Sequence, residues 1–446
     1  MKKKLIGFLL FLNDIIKWLL LAVLTGAAVG AIAAGFILLL DVACGFSGGF
    51  KYYYLFLPIA MFLSAFLVKY LAPSAEGHGT EKAIEAIHKE GGKIKVGVVP
   101  VKIAATVITI AGGGSAGKEG PTTQIGAGTA SFIAGLLKLS EKDTKRLVIC
   151  GMGAAFAAIF GTPVAAAVFA IEVLVVGRMN LKNIFSVMVA SVTGYFVFQA
   201  LGVSVERMPE ILLGITAKNA VPNLLTALGA GVFFGFVTIL TVAALKYSER
   251  LSAKIKIYKP LKGLIGGAAI VVLALIFGTD YLGMGIGYFL KIADGAQARL
   301  YDFLLKIIFT AITLSFGGSG GILTPLMFIG ITSGSAFAGV FHLDPTVYAC
   351  LGMLAVLAAS TNTPLACIIM ALEMFFNPSF ALLAAVACPV AYLIAGHRSV
   401  YPTQLMNESK IAGIWIDSTT AEQPSERFVY SKWLGKVIEF FKKKQA

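Results

Sequence analysis

The chain has 446 residues, of which 58% are hydrophobic and only 13% are charged, against about 25% charged in a soluble domain. That balance excludes a water-soluble globule, a disordered chain, a collagen-like rod and a small disulfide-stapled secreted domain. The 37 Lys and Arg against 23 Asp and Glu give a net charge of +14. Much of it lies in the MKKK start, the FKKK near the end and residues 246–262, so it reads as cytoplasmic anchors of a bilayer protein and not as a nucleic-acid surface.

From the N-terminus, the basic trio leads into an apolar run that continues from Trp18 to Leu40 without a small-residue cleavage signal. This predicts a retained first span, not a removed leader. Within it, GAAVG at 26–30 has the small-xxx-small spacing of close helix packing. Further stretches near the ~20 residues of a spanning helix follow at 53–71, 183–201, 222–245, 260–278 and 378–396. Between them, pieces at 96–112, 122–137, 147–160, 163–177, 301–316, 322–340, 347–359 and 364–376 are rich in Gly and Pro, and several are too short to cross a membrane. Interrupted apolar segments of this kind, repeated in two halves, point to a transport site built from broken helices. The five cysteines sit singly in apolar sequence and read as buried, space-filling thiols. After Tyr401 the chain turns polar through Pro424, then closes with KWLGKVIEFFKKK, whose Trp433, Val437, Phe440 and Phe441 predict an interfacial helix.

The two halves match. At an offset of 204, Ser115, Gly117, Pro121, Gly126, Ser131, Ala134 and Gly135 fall on Ser319, Gly321, Pro325, Gly330, Ser335, Ala338 and Gly339. At an offset of 201, Thr162, Pro163, Ala165 and Glu172 fall on Thr363, Pro364, Ala366 and Glu373. Two blocks in one order predict an internal duplication, and basic residues at both ends imply an even number of crossings, which two antiparallel halves of odd span count supply; parallel halves are the alternative. The predicted fold is an all-α polytopic membrane protein of two inverted-topology repeats with broken half-helices. Its expected divisions are a cytoplasmic segment 1–17, membrane repeats 18–201 and 202–405, and a cytoplasmic tail 406–446 without a regulatory domain.

The most informative string runs Gly112-Gly113-Gly114-Ser115-Ala116-Gly117-Lys118-Glu119-Gly120-Pro121. Its spacing imitates a nucleotide-binding loop, but Glu119 stands where a hydroxyl must hold magnesium, and a carboxylate there repels phosphate. Read physically, the glycines bare backbone N–H groups and Pro121 suits the first turn of a helix. The result is a helix N-terminus carrying about half a positive charge, able to bind an anion within the bilayer. The copy at Gly317–Pro325 supplies a second such end, with Gly117 and Gly321 as the two turn glycines. An ionised Glu119 is costly in a membrane unless satisfied. The donors available to it are those that hold the permeant anion, so Glu119 competes with the substrate when ionised and vacates when protonated. The other reading is that Glu119 pairs with Lys118 or caps its own helix.

These motifs carry a resemblance. GSAGKEGPTTQ is similar to the gating-glutamate motif of the CLC chloride channel and transporter family, and GGILTP to its second anion-coordinating motif. FGTPVAAAVFAIEV at 160–173 resembles the pore-flanking helix, HRSVYP the segment presenting the pore tyrosine, and the likeness extends over most of 18–405. It implies a homodimer in the plasma membrane with both termini cytoplasmic, no cofactor, and an anion pathway in each subunit. The implied ligands are the backbone N–H groups of Lys118, Glu119, Gly120, Ile322, Leu323 and Thr324, with the hydroxyl of Tyr401 at the inner end. Without the resemblance, Tyr401 reads as an interfacial aromatic. The family's Gly-Ser-Gly-Ile-Pro string corresponds here to Gly77-His78-Gly79-Thr80-Glu81, so His78 replaces a serine that holds the central anion. An imidazole facing the pore can donate to an anion and attracts it when protonated; otherwise it caps a turn or points to water. Exchangers of the family carry a proton-relay glutamate where this chain has Val173, which favours passive conduction, and Glu172 reads as structural, satisfying helix ends. The expected function is passage of small inorganic anions, chloride foremost, through a Glu119-gated pore; the alternatives are chloride/proton exchange or a fluoride- or nitrate-selective relative.

Two other classes fit less well. The four histidines, His78, His88, His342 and His397, fall near predicted helix ends and not at mid-span, where an intramembrane enzyme needs its catalytic groups. A cation transporter presents carboxylates and carbonyl ends, whereas these Gly-rich turns present N–H groups.

Overall fold

The structure is a computed structural model that describes residues 2–406, 409–410, 414–416, 419–420 and 426–428. The helix expected at 433–441 lies outside the described residues. The first half contains α1 (Lys2–Gly48), α2 (Leu57–Leu71), α3 (Thr80–Lys89), α4 (Val98–Ala111), α5 (Glu119–Leu136), α6 (Glu141–Phe160), α7 (Pro163–Glu172) and α8 (Ile184–Ala200). The second repeats the order with α9 (Ala220–Lys254), α10 (Lys259–Phe277), α11 (Ile286–Ala293), α12 (Asp302–Ser315), α13 (Leu323–Phe341), α14 (Pro345–Thr361), α15 (Pro364–Phe375) and α16 (Pro378–Ile394). Six of the described helices are long and apolar enough to cross a membrane.

Helix boundaries follow local chemistry. Ser140, Asp344 and Asn377 cap α6, α14 and α16 by accepting from Asp143 N, Val347 N and Phe380 N. At the other ends of α6 and α14, Gly161 and Asn362 take the left-handed conformation with φ of 70° and 59°, the backbone state that stops a helix. Prolines open α7 and α15, where a missing N–H costs nothing. The short α7 and α15, of 10 and 12 residues, span about half of a ~30 Å hydrocarbon core. The first helix differs from expectation in its start: it is continuous from Lys2 across the boundary placed at residue 17, because residues 5–12 are as apolar as the run beginning at Trp18.

The halves interlock. Within each, the long first helix packs on the last, α1 on α8 and α9 on α16, and the paired helices α5 with α6 and α13 with α14 lie side by side. Across the halves α2 packs on α10 and α7 on α15. The α1–α8 seam is built from the small residues of the GAAVG stretch: a Cβ on Gly26 would lie 2.5 Å from Ala190 O, and one on Gly30 2.4 Å from Gly194 O. Backbones approach this closely only where side chains are absent. The segment after α16 returns to the first half, with Val175–Val176 pairing in parallel with Leu405–Met406.

Polar contacts inside the bundle come in symmetric pairs. Ser115 N donates to Thr313 Oγ1 at 3.0 Å, and Ser319 N donates to Thr109 Oγ1 at 3.0 Å. Ser115 and Thr310 share a hydroxyl contact at 3.0 Å, as do Ser319 and Thr106 at 3.2 Å. Lys102 and Lys306 are both fully buried, and each ammonium donates to two backbone carbonyls, of Ala75 and Gly77 or of Tyr281 and Gly283. With no water in the surroundings, each turn of one half is satisfied by a hydroxyl of the other.

Gly30→Ala, which drives a methyl into the α8 backbone, is expected to lower stability by ~1–3 kcal/mol. Gly45→Ala, whose Cβ meets nothing within 4 Å, is the control and should unfold in detergent at or above the wild-type temperature.

Candidate functional site

Every helix start buried in this bundle poses the same problem, because its first N–H groups have no partner in the helix. At α7 and α15 the problem is solved reciprocally. Glu172, at the end of α7, accepts from Leu365 N at 3.0 Å and Ala366 N at 2.8 Å, at the start of α15. Glu373 does the same for Val164 N at 3.0 Å and Ala165 N at 2.7 Å, at the start of α7. The structural reading of Glu172 therefore accords with its geometry.

The starts of α5 and α13 are left open. Neither Lys118 nor Ile322, the residues ahead of them, caps with its side chain. The two turns meet face to face: Gly117 N donates to Gly321 O and Gly321 N to Gly117 O, both at 2.7 Å. Glycine is required for this approach. A Cβ on Gly321 would stand 2.7 Å from Gly120 N, and one on Gly120 would lie 2.1 Å from His78 O. Gly79, at φ +91°, completes the packing, since a Cβ there would meet Gly120 O at 2.2 Å. Three stretches of bare backbone thus converge on one point with the N-termini of α5 and α13 aimed at it.

Glu119, 4% exposed, crosses to the other half. Its Oε2 accepts from Thr324 N at 3.1 Å and, over a short contact, from the Thr324 hydroxyl. The carboxylate therefore occupies the N–H and the hydroxyl of Thr324 at the start of α13. Lys118 does not pair with it; its ammonium meets Glu206 Oε1 at 2.7 Å, on the stretch linking the halves. Beside Glu119, on the Lys118 side, lies a small cavity of about 40 Å³ lined by Lys118, Glu119, Phe160, Glu206, Phe289 and Thr324.

On the opposite side of the site, Tyr401 is buried and its hydroxyl makes no well-formed hydrogen bond among the described residues, and the same holds for its neighbour Thr80. Two orphaned hydroxyls in one buried place are donors waiting for an acceptor. The loop that presents Tyr401 is held by Gln404, whose amide donates to Val173 O at 2.8 Å and Thr361 O at 3.1 Å while its oxygen accepts from Asn362 Nδ2 at 2.9 Å and Ser399 Oγ at 2.9 Å. Thr80, Gln404 and Asn362 were not among the sequence candidates; Thr80 lies in the singled-out string at 77–81, and nothing in the sequence marks the other two.

Of the sequence candidates, Gly117, Lys118, Glu119, Gly120, Gly321, Ile322, Leu323 and Thr324 come together at the facing turns. His78 joins them through its backbone only. His78 lines a different cavity, with Nδ1 3.9 Å from Glu81 Oε2, so of its two expected readings, anion ligand or turn residue facing water, the side chain is placed nearer the second.

Comparison with known proteins follows the same outline. The profile described as voltage gated chloride channel matches residues 60–396. A protein of Pseudomonas syringae pv. tomato described as a chloride/fluoride channel protein is 34% identical over 406 residues, 89% of this chain and 88% of its own length. The H(+)/Cl(-) exchange transporter ClcA of Salmonella arizonae is 29% identical over 379 residues, 79% of each chain. Among solved structures, a CLC-type fluoride/proton antiporter is similar with a TM-score of 0.82 and 30% identity, covering 88% of this chain and 99% of that one. A slow cyanobacterial Cl-/H+ antiporter shares the fold at a TM-score of 0.74.

A Cβ on Gly117 would fall 2.5 Å from Thr324 Oγ1 and 2.6 Å from Glu119 Oε2. Gly117→Ala is therefore expected to weaken halide-dependent thermal stabilisation at least ~tenfold in concentration, while Thr324→Ser, which keeps the hydroxyl, stays near wild type.

Proposed function

This chain belongs to the voltage-gated chloride channel family, and we propose that it carries small halide ions, fluoride and chloride, across its membrane in exchange for protons. Family members transport anions; the exchange, the gate and the choice of ion are the proposal. The single observation that carries it is the Glu119 carboxylate seated on the N–H and hydroxyl of Thr324 at the start of α13.

An ionised Glu119 and a halide are rivals for the same donors. A helix start with free N–H groups holds about half a positive charge, and two of them facing one point suit one anion. Protonation removes the negative charge of Glu119 and with it the advantage of its place, so the side chain withdraws and a halide enters. Halide binding and proton binding at Glu119 then favour each other, and such coupling is reciprocal. Tyr401 and Thr80 offer the next hydroxyls along the path. The family's exchangers, among them the relatives described as H(+)/Cl(-) and fluoride/proton antiporters, support exchange, and the relative described as a chloride/fluoride channel protein supports both ions. A passive pore is the second reading, favoured by Val173 in place of the acid that the resemblance associates with exchange.

We also place the end of α9 that carries Lys246, Arg250 and Lys254 toward the cytoplasm, by the positive-inside bias. At 35 residues, α9 is about 50 Å long and reaches both membrane faces. The Glu206 cavity, near the stretch that leads into its start, then faces outward.

In liposomes, Glu119→Gln is expected to pass halide at a rate that no longer responds to external pH and to move no protons with it. Full pH dependence retained in that variant removes Glu119 as the gate.

A further inference from the structure

We propose that His78, flanked by Glu81 and Glu249, is a proton-binding station loaded from the cavity where α9 meets α10, and that it serves Glu119; the inference rests on the exchange reading above. The cavity measures about 330 Å³ and reaches from the surface around Lys69, Glu76, Lys259 and Lys262 to His78 and the turn at 315–319. His78 is 8% exposed, and its Nδ1 is buried with no hydrogen-bond partner among the described residues. A buried ring nitrogen left unpaired calls for a reason, and this one lies 3.9 Å from the Glu81 carboxylate at the inner end of the cavity.

The charges around the ring determine what that space attracts. Glu81 on α3 stands 3.9 Å from Nδ1, and Glu249 on α9 lines the same cavity. Lys102 on α4 opposes them, but its ammonium is held by the carbonyls of Ala75 and Gly77. Toward the mouth, Lys259 pairs with Glu76 at 2.5 Å and Lys262 donates to Ser252 O at 2.6 Å. The inner end thus places an imidazole near carboxylates, whose charge works against the cost that burial puts on an added proton and repels a halide. Halide and proton are kept on separate routes: the halide past the hydroxyls of Tyr401 and Thr80, the proton past His78. The transfer balances by itself, since the ring takes a proton from hydronium in the cavity, leaving water, to give the imidazolium, and returns to neutral by giving up one proton toward Glu119. The His78 carbonyl packs against Gly120, the residue after Glu119, so the two residues sit on adjoining backbone.

The test records halide efflux and proton uptake together from liposomes holding the full chain. Glu249→Gln should lower the protons moved per halide by roughly threefold while halide efflux holds, and His78→Gln should lower the ratio by roughly tenfold. Wild-type protein that moves no protons overturns the exchange reading and the station with it. A coupled wild type, an uncoupled Glu119→Gln, and unchanged ratios in both His78→Gln and Glu249→Gln overturn the station alone. Independently of flux, the ring resonance of His78 in ¹⁵N-histidine-labelled protein, one of four histidines, should titrate at a lower pH in Glu249→Gln than in wild type. An unmoved midpoint contradicts the station even if a variant folds poorly.

Discussion

A helix start in hydrocarbon has nowhere to send its first N–H groups, and this fold is organised around how each of them is answered. Water cannot do it. Four starts illustrate the range: α6 and α14 use their own Ser140 and Asp344, whereas α7 and α15 borrow Glu373 and Glu172 from the opposite half. The starts of α5 and α13 differ in meeting face to face, and they are answered in part by one acid that belongs to the first half and has no counterpart in the second, where Leu323 occupies the position of Glu119. The departure from symmetry is therefore the functional feature. A duplicated scaffold supplies two inward-facing donor sets, and a single carboxylate makes them responsive to protons.

The surrounding symmetry explains how so open a site is kept rigid. Hydroxyls of Thr109 and Thr313 hold the turn backbones of the opposite half, and the buried ammonium groups of Lys102 and Lys306 pin the preceding loops by their carbonyls. Each is a contact between halves or between a helix and a loop, so the site is positioned by the whole bundle. Gly79, Gly117, Gly120 and Gly321 then let three backbones meet where any side chain would separate them.

Much of this was legible in the chain itself. Interrupted apolar segments and the offsets of 204 and 201 predicted broken helices in two copies, and the short helices lie within a few residues of their expected places, as with 364–376 against Pro364–Phe375. The Glu119 turn was readable because an acid among glycines in apolar sequence has few structural explanations. Had the offset of 204 been followed upstream, it would also have paired Lys102 with Lys306, Thr106 with Thr310 and Thr109 with Thr313. What stayed hidden depends on contacts between segments distant in sequence. Nothing near Gln404 says that its amide will hold the Tyr401 loop to Val173 and Thr361, and nothing near Glu206 says that it will meet Lys118. The cavity that His78 shares with Glu249, on a helix from the other half, is likewise invisible in the sequence. The amphipathic α3 and the short α11 were not anticipated, since 10 and 8 residues give little periodicity to read.

Competition between one carboxylate and a halide for the starts of α5 and α13 is most directly measured as binding, apart from transport. Titration calorimetry of fluoride and chloride into detergent-solubilised protein across a range of pH should find that wild-type affinity rises as pH falls. Glu119→Gln should bind at least about tenfold more tightly than wild type at alkaline pH and show no such rise. Equal affinities with the same pH response in both proteins would mean that the carboxylate and the anion do not share a site.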